Sequence, residues 1–261
     1  MPARHQPALR ASQPALPPHV ERTRLRLADG ARTTVYVARY DLPRTAVRVV
    51  RLARPEPLEA WCRANGVAEA LVGGFFVRPH GMPLGELRMR GLVRASTPFE
   101  SPWDLVRGCL HAHRGRLTIA RRDELPAAPR GDLLQAGPLL VRGGVPAVED
   151  GVDHEGFSAA SGQFDSDITA GRYPRSAIAL TRRSLLAVTC DGRADDEAGL
   201  TLRELAEALA ALGADHALNL DGGGSTSLIC DGALRNVPRE EHGVVLAGGR
   251  PVSTALVFHS R

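Results

Sequence analysis

"TLRELAEALAALGADHALNLDGGGSTSLIC", Thr201 to Cys230, is the stretch on which the fold turns. Thr201 and Glu204 have the spacing of a capping box, Leu202, Leu205, Leu209 and Leu212 recur at helical intervals, and Gly213 supplies a stop. A helix is therefore predicted between Thr201 and Gly213. "HALNLD" then reads as a strand and, after three glycines, "STSLIC" as another.

Upstream, "SAIALT" (Ser176 to Thr181) and "LLAVTC" (Leu185 to Cys190) flank "RRS" as two strands. Strand, capped helix and strand in close succession predict a C-terminal βαβ unit, with Leu185–Cys190 and His216–Leu220 parallel and joined by a right-handed crossover. Both strands end in an acid followed by glycine, at Asp191 and Asp221. Parallel strands bring their carboxyl ends to one sheet edge, where open α/β sheets bind ligands, so the two aspartates are expected to share a site. Alternation puts Asn219 on the same face as Asp221 and Thr189 in phase with Asp191. Strands that are neighbours, or one strand apart, have axes about 5 to 10 Å apart. That range covers the carboxyl separations of both retaining and inverting glycoside hydrolysis, and leaves the outcome at the anomeric carbon open.

The run Asp221-Gly222-Gly223-Gly224-Ser225-Thr226 has an ordinary reading, a tight turn. A two-residue turn needs only one or two glycines, however. Three in a row leave the backbone N–H groups of Gly222 to Ser225 approachable by an anion, as in a phosphate nest.

The rest of the chain supplies strands. "TRLRL" and "TTVYVARY" flank an Ala28–Gly30 turn, "TAVRVVRL" follows, and Pro57 to Gly66 reads as a short helix. "AEALVGGFFV" is a buried strand ending at Gly73-Gly74, "CLHAHRGRLTIARR" is a hairpin about Arg114-Gly115, and "DLLQAGPLLVRGG" is a strand broken at Gly137-Pro138. The fold class expected is α/β in the mixed α+β sense, a strand-rich mixed sheet with few helices. One domain is expected over 21–261, behind a disordered Pro-rich tail over 1–20.

Composition narrows the chemistry. All 33 basic residues are arginine, so no P-loop, Schiff-base or general-base lysine exists, and an anion must be held by arginine or backbone N–H. The arginines are scattered, with no zinc-finger or RNA-binding signature, which argues against nucleic acid. The first twenty residues hold no apolar run of signal-peptide or membrane-span length, and no later segment would cross a bilayer, so a cytoplasmic location is expected. Cys62, Cys109, Cys190 and Cys230 are far apart in sequence, with no CxxC pair and no histidine at ligand spacing. Asp165 and Asp167 lack the remaining ligands of a calcium loop, so no metal is expected. Arg175, just before a strand, and Arg193, in "CDGR", are the cationic candidates. No HExxH or GxSxG pattern occurs.

"GGFF" (73–76), "AGPLLVRGG" (136–144), "PRSAIAL" (174–180), "VTCDGR" (188–193), the opening stretch and "RNVP" (235–238) together resemble the phosphodiester glycosidase family, from about residue 65 onward. The resemblance implies hydrolysis of the bond between a sugar's anomeric carbon and a phosphodiester oxygen, releasing free sugar and a phosphomonoester. It also implies a site lined by Arg175, Asp191, Arg193, Asp221 and the Gly222–Thr226 loop, with Asn219, Gly73 and Gly74 contributing. Three departures stand out: Val72 occupies the place of the family's asparagine, Ser176 makes "PRS" of "PRT", and no secretory signal is seen. Val72 cannot hydrogen-bond a sugar hydroxyl, so the alternative is a non-catalytic homologue that binds sugar phosphates or nucleotide sugars. The chemistry is consistent without metal or organic cofactor: a phosphate leaving group needs charge stabilisation more than protonation, and a carboxylate can stabilise or capture the oxocarbenium centre. The implied partner is a small-molecule sugar phosphodiester, with no nucleic acid and no membrane. Oligomeric state, sugar and aglycone are not set at this level.

Overall fold

The computed structural model describes residues 17, 19–158 and 168–261. Asp165 and Asp167, and nearly all of the Pro-rich stretch, lie outside the described residues.

Thr181 starts the local logic. Its N–H and hydroxyl both reach the Ser184 carbonyl (2.9 and 3.2 Å), closing a tight link that folds Arg175–Leu180 straight back onto Ser184–Cys190. The seven-stranded sheet that results runs Val20–Arg26, Arg32–Asp41, Ser184–Cys190, Arg175–Leu180, His216–Asn219, Leu139–Arg142, Val145–Pro146, and every neighbouring pair is antiparallel. The predicted βαβ unit is met only in part. Ser184–Cys190 and His216–Asn219 do not pair; Arg175–Leu180 lies between them, antiparallel to both, so they run the same way one strand apart. The hairpin link is too short to leave that flank vacant for the strand returning from the helix. The sheet is thus antiparallel rather than mixed.

Helix Leu202–Ala211 begins as its sequence dictates: the Glu204 N–H donates to Thr201 Oγ1 (3.0 Å) and the Thr201 N–H donates to Glu204 Oε2 (2.9 Å). It lays Leu202, Leu205, Ala206 and Leu209 on Leu140, Ala177, Leu186 and Val188 of the large sheet. The other face of that sheet meets two five-stranded sheets. One runs Arg116–Arg121, Gly108–His113, Asp132–Gln135, Leu87–Met89, Leu92–Val93; the other runs Ala233–Leu234, Leu228–Cys230, Ala70–Val72, Pro251–Ser260, Thr45–Pro57. Tyr36, Ile178 and Leu218 from the first sheet, Leu110 and Leu134 from the second, and Leu71 and Leu256 from the third form the central core. A second helix, Leu58–Asn65, ends at Gly66 (φ +65°) and packs Leu58 and Cys62 on the outer face of the third sheet.

The hairpin about Arg114-Gly115 forms, both residues taking positive φ (48° and 79°) as a primed turn requires. "DLLQAGPLLVRGG" does break at Gly137-Pro138, and its halves enter different sheets. "STSLIC" is only partly a strand. A 3-10 turn at Gly223–Ser225 carries the chain out of the large sheet before Leu228–Cys230 joins the third. Among the described residues no helix is long and apolar enough to cross a membrane.

Thr201→Ala should cost about 1 kcal/mol through the lost cap, and Leu209→Ala about 2–5 kcal/mol through the cavity it opens. Urea midpoints should fall in that order with unchanged slope.

Candidate active site

Asp221 lies two residues beyond the end of strand His216–Asn219 and is held through its own and its neighbours' backbones. Its N–H donates to the Gly73 carbonyl (3.1 Å), the Leu220 N–H before it to Ser176 O (2.9 Å), and the Gly223 N–H after it to Pro174 O (2.9 Å). Gly73 is positioned in turn by its own N–H on Thr254 O (2.9 Å), and the Gly74 N–H donates to Thr254 Oγ1 (3.0 Å). The expected contribution of Gly73 and Gly74 is therefore to the placement of Asp221's backbone; neither lines the cavity below.

The Asp221 side chain faces a cavity of about 450 Å³. Oδ1 accepts the Gly222 N–H (2.9 Å), while Oδ2 is buried and has no hydrogen-bond partner among the described residues. Burial pushes this carboxyl up to about 6, against the opposing pull of the Ser225 hydroxyl and of Arg250. Asn219, in phase on the same strand, also lines the cavity; its Nδ2 donates to Gly137 O (2.9 Å) and its Oδ1 is a second buried acceptor with no partner there.

Cations form the wall. Arg78, Arg175, Arg193 and Arg250 line the cavity with the carboxylates of Asp221, Glu240 and Glu241. Arg250 donates through Nε and Nη2 to the two oxygens of Glu240 (both 2.6 Å), and Arg193 Nη1 lies 3.6 Å from the same carboxylate. Tyr173 lies between two guanidiniums, Arg175 at 5.2 Å and Arg193 at 5.4 Å from the ring centroid. Arg193 holds φ +58°, an uncommon state for a side-chain-bearing residue, and one that aims its guanidinium back across the loop. Three nitrogens of Arg175 donate to the carbonyls of Leu200, Ile168 and Gly171. This guanidinium therefore braces the loop around the site as well as lining it.

Two expectations are corrected. The first is the nest: of the four expected amides, the Gly222 N–H is taken by Asp221 Oδ1, that of Gly223 by Pro174 O and that of Ser225 by Gly222 O, so a nest of four free N–H groups does not form. The glycines serve close packing instead. A Cβ on Gly222 would lie 2.8 Å from Pro174 O and one on Gly224 2.7 Å from Glu240 Oε1, while Gly223 takes φ +59°. The second is the shared aspartate site. Asp191 does not line the cavity. Its Oδ1 accepts the Val237 N–H (2.7 Å) and its Oδ2 faces the Tyr36 hydroxyl (3.5 Å), inside the packed interior. With an intervening strand between them, the two strand ends diverge, one carboxylate serving the core and the other the cavity. Ser225 and Thr226 are fully buried behind the loop.

Val72 is also explained. It is fully buried, paired with Ala255, and packed with Leu58 and Ile229 under the second helix, away from the cavity. Its apolar character suits that place and has no bearing on the site.

A match to the family model of phosphodiester glycosidases spans residues 65–259. The chain belongs to the phosphodiester glycosidase family. The fold agrees with solved structures. The zebrafish N-acetylglucosamine-1-phosphodiester α-N-acetylglucosaminidase catalytic domain, auto-inhibited by its pro-peptide, superposes with a TM-score of 0.70 at 18% identity, covering 97% of this chain and 86% of that one. A hypothetical protein from Synechocystis matches with a TM-score of 0.60 at 19% identity, over 92% of this chain and 61% of that one. At such identities the likeness shows the fold alone. No curated protein matches.

Sequence reading missed Arg78, Tyr173, Glu240 and Arg250. Arg78 follows "GGFFV" and Glu240 follows "RNVPR", so each sits just beyond a recognised motif. Arg250 has no local signal, since only its ion pair with Glu240 brings it to the cavity.

The carboxyls of Asp191 and Asp221 both rise to about 6 on folding, so between about pH 4 and 6 the native state binds more protons than the unfolded chain. Stability should fall as pH rises through that window and level off above it. Asp221→Asn removes one of these burdens, and should raise the melting temperature at pH 7.5 but leave it nearly unchanged at pH 4.

Proposed function

We propose that this protein hydrolyses the C1–O bond of a sugar-1-phosphodiester, releasing free sugar and a phosphomonoester. The observation that carries the reading is that Asp221, with one carboxylate oxygen lacking a hydrogen-bond partner among the described residues, lines an arginine-walled cavity. Family membership supports the reaction class, and the cavity supplies its chemistry.

Asp221 acts at the anomeric carbon, as nucleophile or as the base that activates water, and in either role it must be ionised. The leaving phosphate has a low pKa and needs charge neutralisation rather than a proton. Arg193 and Arg250 supply this neutralisation, as the phosphate takes over the hydrogen bonds Arg250 gives Glu240 and the looser ion-pair contact of Arg193 with the same carboxylate. Arg175 keeps the wall in place behind Tyr173. Asn219 Oδ1 is an acceptor for a sugar hydroxyl. Asp191 is a positioning residue that fixes the segment leading from Val237 to Glu240. No step in this scheme requires a metal or organic cofactor. Four buried, unpaired cysteines support a reducing compartment, the cytoplasm, as the site of action.

Asp221→Asn should abolish sugar release from a synthetic sugar-1-phosphodiester while binding persists, and full turnover by a folded Asp221→Asn protein would end the assignment. In labelled water the new oxygen should appear in the sugar, whereas label in the phosphomonoester would mean P–O cleavage. The kcat/KM should fall about tenfold per pH unit below about pH 6, as Asp221 takes up its proton. Arg250→Gln should raise KM and lower kcat together.

A further inference from the structure

A second cluster of reactive groups lies apart from the cavity, none of its members lining it. His19 is anchored by its carbonyl, which accepts the Arg39 N–H (2.9 Å), and its ring packs on Tyr40 at 5.3 Å. Glu69 immediately precedes strand Ala70–Val72, and Cys230 ends strand Leu228–Cys230. His19 Nε2 lies 3.1 Å from Glu69 Oε2; the Tyr40 hydroxyl donates to the same oxygen (2.6 Å) and lies 3.7 Å from Cys230 Sγ. The ligand atoms of His19, Glu69 and Cys230 all fall within 4.8 Å of one another.

We propose that His19 Nε2, the Glu69 carboxylate and Cys230 Sγ form a zinc(II) site, with water as the fourth ligand. One nitrogen, one oxygen and one sulfur suit a borderline-soft divalent ion, and zinc accepts all three. Bonds of about 2.0–2.3 Å in a tetrahedron place donor atoms about 3.3–3.8 Å apart; the His19–Glu69 pair at 3.1 Å opens slightly to admit the ion, and Cys230 Sγ, within 4.8 Å of both, closes in. The carboxylate is already oriented. The Asp231 N–H donates to its Oε1 (2.8 Å) while Tyr40 holds its Oε2, the outer hydrogen bonding that fixes a ligating carboxylate. Without an ion these groups make a closed hydrogen-bond network centred on Glu69. With zinc, the His19–Glu69 hydrogen bond gives way to two metal bonds, and the Cys230 thiol releases its proton to solvent as the Zn–S bond forms. Because the ligating form of cysteine is the thiolate, zinc binding releases a proton and its affinity depends on pH.

The site would tie three segments far apart in sequence, two of them ends of strands in the third sheet and one leading into the first sheet. Its role is therefore structural.

The test uses the full chain, freed of metal by chelation and titrated with cobalt(II), then zinc(II). One saturable cobalt per chain is expected, with a thiolate-to-cobalt charge-transfer band and the visible bands of a tetrahedral ion, both lost on adding zinc. One proton per zinc should be released, and zinc should raise the melting temperature. Cys230→Ser should abolish the charge-transfer band, and His19→Ala, at a partly exposed position, should weaken binding at least tenfold even if the cysteine variant fails to fold. Absence of a saturable band, or bands and affinity unchanged in His19→Ala, would overturn the proposal.

Discussion

Strand Arg175–Leu180 carries hydrogen bonds in both directions, to Ser184–Cys190 on one side and His216–Asn219 on the other, and every one of its residues is buried. Its first residues do more than pair: Ser176 O holds Leu220 and Pro174 O holds Gly223, so the strand's beginning fixes the end of its neighbour where Asp221 emerges. A buried antiparallel strand leaves no unpaired amides to water, and this confines Asp221 to one position within a hydrogen bond's tolerance. Gly73, reaching in from the third sheet, is the second anchor. The Asp221 carboxylate thus sits where two sheets and a loop are all fixed to one another.

Such a site is stable despite its electrostatics. Carboxyls pushed up to about 6 at Asp191 and Asp221 mean that their ionised forms oppose folding at neutral pH. The opposing stabilisation comes from burial elsewhere, in the central core where three sheets meet and under the two helices. Beneath the cavity floor, Arg107 is enclosed between the rings of Phe99 and Phe157 (4.0 and 4.2 Å), and Phe157 packs against Phe75, which lines the cavity. Rigidity there lets Asn219 and Asp221 keep buried acceptors that a looser fold would turn to water.

The different placements of Asp191 and Asp221 show how little local sequence distinguishes a cavity-lining carboxylate from an interior one. Both are acid-glycine steps after apolar strands, and both have raised carboxyls. One meets the Val237 amide and the Tyr36 hydroxyl, and the other meets a cavity. The difference lies entirely in what the third sheet and the 236–240 segment bring to each.

By itself the sequence determined the capped helix and its stop, the Arg114-Gly115 hairpin, the break at Gly137-Pro138 and the arginine-only stock of basic side chains. These are local: caps, periodicities of 3.6 and 2, positive-φ turns and the absence of a residue type are written within a few positions of chain. Tertiary structure alone decided the antiparallel insertion of Arg175–Leu180, the internal use of the Gly222, Gly223 and Ser225 amides, the pairing of Arg250 with Glu240 and the meeting of His19, Glu69 and Cys230. Each of these depends on which segment reaches a position first and fills it. That outcome is set by competition among contacts distant in sequence, and no short stretch of residues encodes it.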